Sequence, residues 1–91
     1  MNLSALFNHP AFAGIEAHRI EAVHLILDQA RGKNTHESMW VIKKHLKPLT
    51  TGKPISKTQG QAMMQALHAH LPPDEQDEFK GVIKVIERFL A

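Results

Sequence analysis

Apolar residues recur every three or four positions through most of the chain, and nowhere do they alternate for long. The clearest case is Phe79, Val82, Ile83, Ile86, Phe89 and Leu90, which fall on one face of a helix and leave Lys80, Lys84 and Glu87 outside it. A chain patterned this way buries stripes of helices and has no strand to pair. Apolar residues make up 43% of the chain and aromatics only 5% of it, so the core is built from Leu, Ile, Val, Met and Ala. That set favours helices over strands. At 91 residues the chain supports one modest core, burying roughly 60–70% of its unfolded surface. The expectation is a single helical domain over residues 1–91: an all-α, compact bundle of four main helices with a short N-terminal helix.

The punctuation sets the boundaries. Leu3–Asn8 forms the short helix, with Leu3, Leu6 and Phe7 on one face, and Pro10 and Gly14 bound a loop. The first long helix runs from about Glu16 to Arg31, with Ile20, Val23, Leu27 and Ala30 as its stripe and Gly32 closing it. Asn34 and Glu37 have capping-box spacing and open a second helix from about Thr35 to His45 or Leu46, with Met39, Ile42 and Leu46 inward. Pro48 cannot continue that helix and pushes Lys47 out of the α region. Residues 48–55 are therefore read as a loop. Ser56 and Gln59 form a second capping box before a helix over Lys57–His70, whose stripe is Met63, Leu67 and Leu71, widened by Met64 and Ala66. Pro72-Pro73 breaks the chain again, and Pro73 suits a first helical position. Asp74, Glu75, Asp77 and Glu78 load the next first turns with the negative charge a helix start prefers.

Several kinds of chemistry are excluded or unsupported. There is no cysteine, so disulfides, thiolate zinc sites and thiol catalysis are ruled out. The start has no basic region followed by a long apolar run, and no stretch is long enough to span a bilayer. A soluble, cytoplasmic protein that binds no membrane is expected. Seven histidines are many for this length, yet their spacing is poor for metal. His68 and His70 point about 200° apart on a helix. Glu21 and His24 form one Glu-x-x-His pair where a di-metal bundle needs two. Ser4, Ser38 and Ser56 lack a nucleophile elbow, and Ser56 is better explained as a cap. Gly60 and Gly81 are read as points of close helix packing. No catalytic residue, no metal and no cofactor is assigned, and the chain is not expected to be an enzyme.

The net charge of +2 hides an asymmetry. Residues 31–57 carry Arg31, Lys33, Lys43, Lys44, Lys47, Lys53 and Lys57 against Glu37 alone, while the segments on either side are each net acidic. This segment is either a solvated helix face with a Lys-containing loop or a basic surface that attracts an acidic protein or a phosphate backbone. The eight-residue connection 48–55, with two prolines, is too long for the turn of a helix-turn-helix.

Two apolar residues leave the stripes. Leu25 lies about 140° from Ile20 around the first helix, and Trp40 about 100° from Met39 around the second. Either the N-terminal Leu3, Leu6 and Phe7 cover one of them, or they form an exposed patch where a partner or a second copy docks.

Three stretches carry a likeness: Leu6-Phe7-Asn8-His9-Pro10-Ala11-Phe12-Ala13-Gly14-Ile15, Asp28-Gln29-Ala30-Arg31-Gly32-Lys33, and Leu71-Pro72-Pro73-Asp74-Glu75-Gln76. Together they resemble short uncharacterised helical proteins of Gram-positive anaerobes. The shared motifs are caps and turns, and this chain differs in its histidine content and basic middle. The resemblance implies the helical architecture and transfers no activity or site. The candidate partner-binding residues are therefore Trp40, Leu25, Lys43, Lys44, Lys47, Lys53 and Lys57. The leading expectation is a non-enzymatic protein-interaction module that binds a protein partner or forms a homodimer. The alternative is a nucleic-acid-binding protein using residues 31–57.

Overall fold

A computed structural model describes residues 8–90. All the regular structure among the described residues is helical: α1 (Ala17–Ala30), α2 (Thr35–Lys44), α3 (Leu46–Thr50), α4 (Lys57–His70) and α5 (Pro73–Leu90), preceded by one 3₁₀ turn at Pro10–Phe12. The four long helices are the four read from the pattern. The short helix expected over Leu3–Asn8 lies, but for Asn8, outside the described residues, as does any cover by Leu3, Leu6 and Phe7.

The caps follow from residue chemistry. Asn34 and Glu37 make the reciprocal box: Glu37 N–H donates to Asn34 Oδ1 at 2.8 Å, and Asn34 N–H donates to Glu37 Oε1 at 3.3 Å. At α4 only half the expected box forms. Gln59 N–H donates to Ser56 Oγ at 3.1 Å, but the Gln59 amide reaches across to the carbonyl of Ala13 instead. That bond ties the 3₁₀ turn to α4 and seats Phe12, from a stretch read as loop, in the core. Gly32 takes φ +76° just beyond α1, where a side chain would be strained.

The region after α2 departs from expectation. Pro48 does not end helical structure: the chain turns at His45, and Leu46–Thr50 forms α3 with Pro48 in its first turn. A first-turn residue has no carbonyl four positions back within its own helix to bond, so proline loses nothing there. Lys47 is accordingly helical, and the loop shrinks to residues 51–56. Leu49, carried by α3, is fully buried.

α1 packs against α2, α3 and α5, while α4 packs against α5. Because α1 is flanked on several sides, its buried face is wider than the single stripe. Ala22 and Ile26 join Ile20, Val23, Leu27 and Ala30 in the core. The largest fully buried side chains are Phe79, Ile26, Leu27, Ile42, Leu49, Met63, Leu67 and Ile86. Phe89, assigned to the α5 stripe, is instead 38% exposed. In the last turn of α5 only Ile86 and Leu90, four positions apart, still face the core. Gly60 is buried within reach of Ile55 and Leu90, as close packing requires, whereas Gly81 is exposed with open space beside it. No helix among the described residues is long and apolar enough to cross a membrane.

Candidate functional site

The two faces of α2 have opposite character. Val41, Ile42 and Ser38 are buried against the body of the protein. On the other side His36, Lys43 and Lys44 all lie within about 60° of Trp40 around the helix, and all four are exposed. Trp40 is 59% exposed, the most open large apolar side chain among the described residues. Lys43 holds its ammonium 4.9 Å from the centre of the Trp40 ring, within cation–π range. The acid on this helix, Glu37, is committed to its cap. Lys47, the second residue of α3, is also exposed.

Lys43 and Lys44 stand in the last turn of α2, where a cation is favoured by the helix dipole. That accounts for charge at this place but not for the tryptophan. Among the described residues, Lys43, Lys44, Lys47, Lys53 and Lys57 form no ion pair; the pairs present are Glu16–Arg19 and Arg31–Glu75.

The remaining basic residues of 31–57 are distributed over the fold. Arg31 pairs with Glu75 and stacks over Phe79 at 5.4 Å. Lys33 stands two residues before α2, and the helix's ten residues set it roughly 15 Å from the lysines at the other end. Lys53 stands in the loop after α3 and Lys57 opens α4. The structure therefore brings Trp40, Lys43 and Lys44 together, with Lys47 on the next short helix. Leu25 is half-buried on α1, so of the two off-stripe residues only Trp40 presents a large free surface.

A second constellation centres on Arg19, which the sequence pattern did not single out. Arg19 is 4% exposed, in the first turn of α1. Its guanidinium donates to the carbonyls of Lys53 at 2.6 Å and Thr50 at 3.1 Å, and to Glu16 Oε1 at 3.4 Å. Glu16 in turn accepts from the Lys53 N–H at 2.8 Å. His18 Nε2 lies 2.6 Å from the carbonyl of Thr51, and since a carbonyl only accepts, that nitrogen carries the proton in this bond. The start of α1 thus satisfies the open carbonyls at the end of α3. The signal was present: Arg19 stands three, four and seven positions before Ala22, Val23 and Ile26, on the buried stripe. The Lys53 N–H bond, with help from Glu16's own backbone N–H and from Arg19, holds the Glu16 carboxyl below its ordinary value. The role of this cluster is to fix the loop that follows α3.

Other histidines are likewise engaged: His9 Nδ1 caps the 3₁₀ turn, and His45 Nε2 meets Gln29 Oε1 at 3.1 Å. Among the described residues no group of three or more His, Asp or Glu is placed to hold a metal ion. Comparison with known proteins finds no matching family model, no matching curated protein and no matching solved structure.

Proposed function

We propose that the chain is a non-enzymatic helical interaction module that holds an acidic segment of a protein partner against the outer face of α2. The observation that supports this reading is Trp40, 59% exposed beside Lys43 and Lys44, cations that pair with no acid among the described residues. Leaving an indole in water forgoes the stabilisation its burial would bring, and tryptophan is prominent among residues that anchor interfaces. Lysines at the rim steer an acidic partner and set its orientation more than they add affinity. A segment that places an aliphatic side chain on the indole and carboxylates on the lysines matches this face. The first turns of α5, with Asp74, Asp77 and Glu78 exposed, offer carboxylates of this kind, so a second copy of the chain is one such partner.

The chain contains one Trp and no Tyr, so its intrinsic fluorescence reports on this face alone. Titration with a peptide of glutamates interspersed with leucines is expected to shift Trp40 emission to shorter wavelength, with affinity falling as salt is added. Emission that does not move, with light scattering showing a monomer at all concentrations, contradicts the proposal.

The pairing of a free aromatic face with cations also favours a second reading, single-stranded nucleic acid stacked on Trp40 with its phosphates on the lysines. An oligo-dT that quenches Trp40 and binds more tightly than the acidic peptide at equal salt replaces the first reading with this one.

A further inference from the structure

A cleft of about 230 Å³ opens between α2 and α5, on a different side of α2 from Trp40. Its polar lining is sorted by sign. The α2 side supplies hydrogen-bond donors: the Lys33 ammonium and the hydroxyls of Thr35 and Ser38. The α5 side supplies the carboxylates of Asp77 and Glu78. Glu78 Oε1 accepts from the Gly32 N–H at 2.9 Å, which pins the start of α2 beside α5 and leaves the other oxygen available. On both helices the polar lining residues come first in the chain and the apolar ones follow, Met39 and Ile42 on α2 and Val82 and Val85 on α5.

Gly81 forms part of the wall. It sits in the interior of an 18-residue helix, where glycine destabilises relative to alanine. Nothing among the described residues requires it: its φ is not positive, and a Cβ there would meet no atom of theirs within 4 Å. Because Gly81 lines the cleft, a larger side chain at this position is expected to narrow it.

We propose that the cleft binds a small aliphatic α-amino acid. The ligand ammonium pairs with Asp77 and Glu78, its carboxylate takes Lys33 and the two hydroxyls, and its side chain lies against Met39 and Val85. Donors and carboxylates on facing helices match a zwitterion better than a single charge, and the apolar end matches an aliphatic side chain. The volume falls below the roughly 300–1,000 Å³ typical of drug-sized sites, so a ligand of this size fits. The proposal does not depend on the outer face of α2.

The test is an NMR titration of the ¹⁵N-labelled full chain with L-leucine up to about 10 mM, enough to saturate a millimolar site. Saturable shifts are expected at the amides of 33–39 and 77–85. 3-Methylbutylamine and 4-methylpentanoate, which are leucine without its carboxylate and without its ammonium, are expected to bind at least about tenfold more weakly. Gly81→Leu is expected to raise the melting temperature while abolishing the shifts. That pairing separates a filled cleft from a damaged fold. No saturable shift with L-leucine, equal binding of either one-charge fragment, or undiminished binding to Gly81→Leu overturns the proposal.

Discussion

Arg19 in the first turn of α1 donates to the main-chain carbonyl of Lys53 at 2.6 Å, joining positions 34 apart in the chain. The same guanidinium reaches Thr50, so one buried side chain closes the end of α3 and holds the loop behind it. Among the described residues its Nε has no hydrogen-bond partner, so the guanidinium acts through its two terminal nitrogens alone. Arg19→Met retains the apolar stem and removes every donor, leaving two carbonyls stranded. A loss of about 2–3 kcal/mol is expected. Urea denaturation should show an earlier midpoint at unchanged slope. An unshifted midpoint contradicts the assignment of Arg19 as the tie between α1 and α3.

Glu16 makes part of this tie dependent on pH. Its carboxyl is held below the ordinary carboxylate value, chiefly by the Lys53 N–H. A group whose value is lower in the folded state adds stability above its unfolded value, and that contribution disappears as pH falls through the folded one. Glu16→Gln keeps the shape and removes the charge. The stability of wild type relative to this variant should therefore be constant near neutrality and shrink on acidification through the carboxylate range. Parallel curves for the two proteins would show that the Glu16 contact carries no charge-dependent stability.

Gly52 is the loop residue this arrangement leans on. Its φ of +145° is strained for any side chain, and a Cβ there would run into the Glu16 carboxylate. Gly52→Ala is expected to destabilise by about 1–3 kcal/mol. Part of the loss should vanish in a Glu16→Ala background, because the two sites share the clash. Purely additive losses in a thermal double-mutant cycle contradict the proposed contact.

Ile86 and Trp40 separate fold from surface. Ile86 is fully buried, and Ile86→Asp places an unpaired charge in the core. A loss of more than about 4 kcal/mol is expected, visible as loss of the cooperative melt. Trp40→Ala removes an exposed ring and should change stability by no more than about 0.5 kcal/mol. A normal melt for Ile86→Asp would overturn the core assignment.

The helices were legible because each carries both a period and a stop. Asn34, Ser56, Pro73 and Gly32 act through local geometry, so their positions could be read without any knowledge of neighbours. α3 was not legible, because Pro48 breaks a helix only beyond its first turn, and nothing local announces that a new helix begins at Leu46. Phe12 and Phe89 failed for a related reason: burial depends on which element arrives from elsewhere, here α4 on the 3₁₀ turn, while the last turn of α5 is covered on the Ile86 and Leu90 side and open at Phe89. Of the candidate site, Trp40 was visible as a residue off its stripe, and the lysines beside it as a run of charge. What the run could not show is its division, with Arg31 drawn to Glu75 and Lys33 set at the far end of α2 from Lys43 and Lys44. Arg19 was masked because a charged residue on an apolar stripe reads as its boundary, and its carbonyl partners lie on a distant loop.

The proposed docking face is tested most directly by following Trp40 fluorescence while titrating the glutamate–leucine peptide into wild type and into Lys43→Glu/Lys44→Glu at low salt. The account predicts a blue shift in wild type, and at least about tenfold weaker binding by the charge-reversed variant, equivalent to roughly 1.4 kcal/mol or more. Equal affinity for the two proteins, or a Trp40 signal indifferent to the peptide in both, contradicts it.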